Sequence, residues 1–81
     1  LAWRRRGESL EQVPVLELQV GDELQVAADV QVPADGELLD AEGEFDEALL
    51  SGESTPVRRH RGDTVLAGSR ACLSGARVRV E

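Results

Sequence analysis

A short run of hydroxyl, glycine and carboxylate residues, Ser51-Gly52-Glu53-Ser54-Thr55-Pro56, carries the most legible chemistry of this chain. Gly52 permits a positive φ and presents no Cβ to an approaching body. Pro56 stiffens the exit and biases Thr55 toward an extended conformation. Glu53 is thereby placed at the tip of a tight loop, flanked by hydroxyls and presented to something outside the chain. Taken alone, the run reads as a surface carboxylate on a β-turn, which is what most Gly-Glu loops are.

The other charged residues read more plainly. Asp46 and Glu47, just upstream, suit turn or strand-edge hydrogen bonds. Asp22, Asp35 and Asp63 each adjoin a glycine and read as turn formers. Arg58-Arg59-His60-Arg61 follows the loop closely. It reads either as a solvated hairpin tip or as a docking patch for acidic protein surface or anionic headgroups. Trp3-Arg4-Arg5-Arg6-Gly7 reads as a solvated turn between strands, or as a basic collar near a membrane surface or a neighbouring domain. Cys72 reads as a small buried hydrophobe or a half-exposed strand residue, with nothing nearby to activate its thiol. A single cysteine and a single histidine exclude an internal disulfide and a Cys/His metal set. His60 therefore reads as no metal ligand.

The elements that must position Glu53 follow from patterning. The chain has 81 residues, enough for one small domain. Hydrophobic residues make up 41% and aromatics only 2%, so the core must be built from Val, Leu and Ala. Apolar residues alternate loosely over Val13–Val20 and cleanly over Glu23–Val32. Pro33-Ala34-Asp35-Gly36 marks a turn, and strands are expected again over Glu37–Asp40 and Phe45–Leu50, with Gly43 at a reversal. Val57 starts a further strand, Gly62-Asp63 turns, and Thr64–Gly68 and Leu73–Val80 complete the pattern. Turn signals recur about every eight to twelve residues and no helical period is sustained. The expectation is all-β: a small distorted jelly-roll or sandwich of short strands, with residues 1–12 as a lead-in and 13–81 as the core.

Bulk properties narrow the function. A formal charge of -7 argues against nucleic acid as the partner. No apolar run approaches the roughly 18 residues that cross a bilayer, and no signal-peptide pattern is present. The chain lacks methionine and starts at Leu1, so it is expected to be an excised, soluble and monomeric piece of a longer protein.

Val20-Gly21-Asp22, Val32-Pro33-Ala34-Asp35-Gly36, Asp46-Glu47-Ala48-Leu49-Leu50-Ser51-Gly52-Glu53-Ser54-Thr55-Pro56-Val57, Gly62-Asp63 and Ala67-Gly68-Ser69 stand in a telling order. Together they resemble the actuator domain of P-type (E1-E2) ATPases, membrane cation pumps that pass through an aspartyl-phosphate. The resemblance runs from about Val13 to Glu81. A proline turn closing on Asp35-Gly36 in so short a domain resembles the heavy-metal branch. Ser54, where many copper pumps have proline, is similar to zinc, cadmium and lead pumps and to some copper pumps of respiratory-oxidase assembly. The run Asp46–Leu50 leans the resemblance toward that last group, hence toward copper. Two departures stand out. Ser51 replaces the usual threonine and keeps its hydroxyl, and Ala27-Ala28-Asp29 stands where a Pro-Gly pair is usual.

The resemblance implies that the loop docks on a separate phosphorylation domain of the same chain and promotes hydrolysis of its aspartyl-phosphate. Glu53 would orient and partly deprotonate the attacking water. Gly52 would keep the approach clear, Ser51 would steady the loop or donate to phosphate oxygens, and Ser54 would hold the turn. ATP and Mg²⁺ would bind elsewhere in the parent pump, as would the transported soft metal ion; no cofactor is expected here. The other partners implied are the nucleotide-binding domain and adjoining transmembrane helices, at the cytoplasmic face of the plasma membrane. The family's Asp-Lys-Thr-Gly-Thr motif is absent, so the piece alone should neither hydrolyse ATP nor transport. The competing reading is a free-standing β-barrel interaction or adaptor module without a catalytic role.

Overall fold

The computed structural model describes residues 1–53 and 55–81. Its elements are β1 (Ala2–Arg6), β2 (Ser9–Val13), β3 (Glu23–Val26), β4 (Gly36–Leu38), β5 (Glu42–Asp46), α1 (Ala48–Ser51), β6 (Val57–His60), β7 (Thr64–Val65), β8 (Arg70–Ala71) and β9 (Ala76–Val80). Among the described residues, the strands form a six-stranded sheet, β2-β1-β3-β9-β4-β7, and a three-stranded sheet, β6-β5-β8. Every strand pairing is antiparallel. The all-β expectation holds.

β9 shows why the large sheet forms. Ala76, Val78 and Val80 are buried while Arg77 and Arg79 face water, the period-2 pattern of a half-buried strand. Val78 lies opposite Leu24 on one side and Leu38 on the other, giving a continuous apolar row across three strands. On the outer face Arg77 meets Asp40 at 3.2 Å and Arg79 meets Glu37 at 3.7 Å. Exposed pairs of this kind contribute at most about 1 kcal/mol, so the inner row holds the sheet.

The two sheets close on Phe45. Its ring is fully buried in a cluster with Val26, Val32, Leu38, Val65, Ala71, Ala76 and Val78. Burying one such ring is worth roughly 1.5–3 kcal/mol, and here it joins β5 of the small sheet to β3, β4, β7 and β9 of the large one. A second cluster, Ala2, Leu24 and Val80, is flanked by Leu18 and Ala34.

Several expected boundaries move. Residues 1–12 are part of the sheet: β1 and β2 form a hairpin in register Ala2↔Val13 to Arg6↔Ser9, and β1 also pairs with β3. The strand expected over Val13–Val20 stops at Val13. Pro14 has no N–H to give a ladder, and Val15–Glu17 forms a 3-10 turn with the Glu17 N–H on the Pro14 carbonyl at 2.9 Å. β3 ends at Val26, six residues earlier than the clean alternation implied, because Asp29 at φ +66° turns the chain. Gly43 lies inside β5 rather than at a reversal, and Gly36 opens β4. A Cβ at Gly36 would run into the Arg79 carbonyl and the Val78 side chain, so close strand packing rather than turn geometry requires glycine there.

Candidate functional site

The Glu53 loop leaves β5 at Asp46 and returns at Val57, which pairs with Phe45. Phe45–Leu50 was expected to be extended, but β5 ends at Asp46 and Ala48–Ser51 makes one helical turn. The local reasons are plain. Asp46 Oδ1 accepts the Ala48 N–H at 2.9 Å, capping the turn from two residues upstream. Ala48, Leu49 and Leu50 are good helix formers. Gly52 ends the turn in the left-handed region, φ 78° and ψ 0°, with its N–H on the Ala48 carbonyl at 2.8 Å.

Glu47 anchors this turn. Its carbonyl accepts the N–H groups of Leu50 and Ser51, both at 2.9 Å, and the Ser51 hydroxyl at 3.1 Å. Ser51 Oγ in turn accepts the Glu53 N–H at 3.3 Å. The Ser51 hydroxyl thus bridges the Glu47 carbonyl and the Glu53 N–H. A Cβ at Gly52 would meet nothing within 4 Å, so the ground beside Glu53 is open. Glu53 is exposed, and no described residue bonds its carboxylate. Ser54 lies outside the described residues.

Two arginines from the strands flanking β5 grip the carboxylates at the base of the loop. Arg70 of β8 faces Asp46 in register, with its guanidinium 3.6 Å from the carboxylate. Arg59 of β6 meets Glu47 at 2.8 Å. Asp46 and Glu47 thus have the structural roles expected of them. The basic run Arg58–Arg61 is not a hairpin tip: residues 58–60 lie in β6, where Arg58 pairs with Glu44 while Arg59 turns inward, and Arg61 donates to the Leu39 carbonyl. The hairpin-tip reading fails because Arg58, Arg59 and His60 pair with Glu44, Gly43 and Glu42 along β5. Sequence reasoning missed Arg59 and Arg70 as supports. The signal available for Arg59 was its period-2 relation to Val57.

The aspartates beside glycines do make turns, some with longer reach. Asp63 Oδ2 accepts the His60 N–H at 2.7 Å. Asp35 Oδ1 accepts the Ala67 N–H at 2.7 Å, tying the proline turn to the Ala67-Gly68 turn. Leu50 packs against Gly68 from the loop side, so this second turn also buttresses α1. Asp22 accepts the Gln19 N–H at 2.9 Å and Arg4 Nη1 at 3.2 Å. The Gln19 N–H and then the Arg4 guanidinium hold the Asp22 carboxyl below its ordinary range. Arg4 does the same for Glu11 through a 2.9 Å bond and is itself raised by both acids. Trp3–Arg6 is accordingly a strand rather than a turn, with Arg5 on Glu23 at 3.1 Å. Cys72 is half-buried, its N–H on the Glu44 carbonyl. Among the described residues, no group of three or more His, Cys, Asp or Glu could hold a metal ion.

The family model of the P-type ATPase actuator domain matches residues 1–81. The chain belongs to that family. It is 47% identical over 68 residues to a zinc/cadmium/lead-transporting P-type ATPase of Shigella sonnei (strain Ss046), covering 84% of this chain and 9% of that protein. It is 46% identical over 63 residues to a copper-transporting ATPase of Helicobacter felis, covering 78% of this chain and 8% of the relative. The fold superimposes on a crystal structure of a zinc-transporting PIB-type ATPase in the E2.Pi state with a TM-score of 0.95 at 42% identity. That match covers 98% of this chain and 13% of the other. These relatives place the actuator domain in the heavy-metal branch, and it spans about a tenth of their length.

Proposed function

We propose that this actuator domain serves an ATP-driven heavy-metal transporter, where its Ser51-Gly52-Glu53 loop docks on a phosphorylation domain and promotes hydrolysis of an aspartyl-phosphate. The observation that carries the reading is Glu53 itself. Its backbone is pinned by Ser51 while its carboxylate is left exposed beside the open face of Gly52. A carboxylate serving its own fold would be tied into it, as Asp35 and Asp46 are.

In this reading Glu53 accepts a hydrogen bond from water lying in line with the phosphoryl group. It takes the proton as the oxygen attacks phosphorus and the bond to the aspartyl oxygen breaks. Gly52 lets the backbone approach, since any side chain there would stand between the loop and the phosphate. ATP and Mg²⁺ would be held by the other domains, Mg²⁺ supplying the positive charge that an acidic actuator cannot. Docking and release of the loop would pull on transmembrane helices joined to the domain at the cytoplasmic face, coupling hydrolysis to ion movement. The Asp46–Leu50 run favours copper as the ion, while the relatives are named for zinc, cadmium and lead as well as copper. ATPase stimulation by Cu(I) against Zn(II) in the intact transporter separates the two.

The test of the loop is phosphoenzyme decay in that transporter after labelling from ATP. Glu53→Gln should still phosphorylate but dephosphorylate roughly 10²–10⁴-fold more slowly, the loss expected with a general base. Decay at the wild-type rate would remove Glu53 from the reaction.

A further inference from the structure

Arg59 lies on β6 beyond the exit of the loop, and nothing about hydrolysis assigns it a part. Its surroundings do. Along β6 the burial alternates, with Val57 and Arg59 half-buried and Arg58 and His60 exposed. Arg59 therefore occupies a position on the inward-facing side of the strand, where a cation is costly unless paired. Its partner is Glu47, whose side chain is only 12% exposed, at 2.8 Å. In register Arg59 stands opposite Gly43, four residues before Glu47, so the guanidinium reaches along the sheet to the start of the loop.

Glu47 is also the residue whose carbonyl carries the whole turn, accepting Leu50 N–H, Ser51 N–H and Ser51 Oγ. Ser51 Oγ then holds the Glu53 N–H. A continuous chain of contacts thus runs from Arg59 through Glu47 and Ser51 to Glu53. It joins the strand after the loop to the first residue of the turn before it. From this we propose that Arg59 is a positioning residue for dephosphorylation: by clamping Glu47 it sets the height and tilt of the Ser51-Gly52-Glu53 turn over the sheet. The inference rests on the reading of Glu53 given above.

The pair spans the loop between Asp46, the last paired residue of β5, and Val57, a stretch in which no strand ladder holds the described residues. Asp46 and Arg70 steady the entry strand at 3.6 Å, a looser contact on the other flank. Releasing the Arg59 clamp should leave the two sheets intact and let the turn drift by a fraction of its own width. A displacement near 1 Å is enough to cost up to about 10²-fold in a positioned reaction.

The test uses the full-length transporter with Arg59→Gln, Glu47→Gln, Arg59→Lys, Glu53→Gln and the Arg59→Gln/Glu53→Gln double variant. Glu47→Gln keeps the backbone carbonyl and removes only the charge, so it serves where Arg59→Gln fails to fold. Phosphoenzyme decay and the limited-proteolysis pattern are read together. The expected result is roughly 10–100-fold slower decay in both single glutamine variants at an unchanged cleavage pattern. Arg59→Lys should recover most of the rate, and Arg59→Gln should add nothing in the Glu53→Gln background, since both changes disable one group. Normal decay in Glu47→Gln and Arg59→Gln, with Glu53→Gln slow, overturns the clamp and leaves Glu53 standing. Slow decay accompanied by new cleavage across the domain, or slowing that multiplies with Glu53→Gln, also overturns it. A normal rate in Glu53→Gln itself overturns the underlying reading instead.

Discussion

At the scale of single residues, Ser51 separates two jobs that a hydroxyl beside the Glu53 carboxylate could do. Its O–H donates to the Glu47 carbonyl at 3.1 Å and its oxygen accepts the Glu53 N–H at 3.3 Å, so it is a strut between anchor and tip. Ser51→Ala removes both bonds but leaves Gly52 and Glu53 in place. A net hydrogen bond is worth about 0.5–1.5 kcal/mol, so losing both corresponds to roughly 5–160-fold in rate if the whole loss falls on loop placement. Phosphoenzyme decay should slow by that amount in Ser51→Ala and stay near normal in Ser51→Thr, which keeps the hydroxyl. Equal slowing in both variants would mean that the methyl space, not the hydroxyl, matters. The geometry around Glu53, a left-handed Gly52 beside an exposed carboxylate, was legible in the sequence because it is local to two adjacent residues. Arg59 was not, because its partner is twelve residues away and only the β5–β6 register brings them together.

At the scale of elements, the same distinction decides which strands could be read. β9 was plain from Val78 and Val80 alternating with Arg77 and Arg79, since a strand buried on one face writes its period in sequence. The β1–β2 hairpin was not, since its exposed residues Trp3, Arg5, Leu10 and Gln12 carry no clean alternation and its membership depends on β3 accepting it as a neighbour. The helical turn at Ala48–Ser51 escaped for a third reason: four residues are too few to show a 3.6 period, and its cap comes from Asp46 rather than from the adjacent residue. Gly36 gives the element-scale prediction. It was readable as a turn glycine, yet β4 brings its α-carbon against the Arg79 carbonyl of β9. β9 is held on its other side by β3, so its backbone cannot retreat without breaking the Leu24↔Val78 rung. Gly36→Ala should cost about 3 kcal/mol, the upper part of the usual overpacking range, read as a lowered denaturant midpoint for the domain. Gly7→Ala is the control: its φ of +62° strains alanine by about 1 kcal/mol, but nothing lies within 4 Å. If the two variants unfold together, close strand approach is not what Gly36 supplies.

At the scale of the whole molecule, the Cα radius of gyration is 11.7 Å, close to the roughly 12 Å that a well-packed domain of this length should have. The small aliphatic core thus gives the chain ordinary compactness, and the charges are left to organise the periphery. Arg4 is the one that ties distant parts together. From β1 it bonds Glu11 on β2 and Asp22 in the turn before β3, and the Asp22 carbonyl accepts the Val80 N–H at the end of β9. Hairpin, turn and central strand thus converge on one guanidinium. Both acids titrate below their ordinary values, Glu11 because Arg4 bonds it and Asp22 because the Gln19 N–H and Arg4 do. A carboxylate whose folded pKa is depressed takes up its proton more readily in the unfolded chain, so folding stability rises with pH across that window. The contribution is fully present above the unfolded values, roughly 3.9 for Asp and 4.3 for Glu, and is lost as pH falls through the lower folded values. Stability of the domain should be flat from neutral pH down to about 5 and then decline. Asp22→Asn should be less stable than wild type at pH 7 and should show a shallower acid decline, the two curves converging toward pH 3. The partners are part-exposed, so added salt should narrow the gap at pH 7. Denaturant unfolding across pH reads this directly. Parallel curves for the two proteins would mean that Asp22 titrates alike in the folded and unfolded chain, so that neither the Gln19 N–H nor Arg4 favours its charged form.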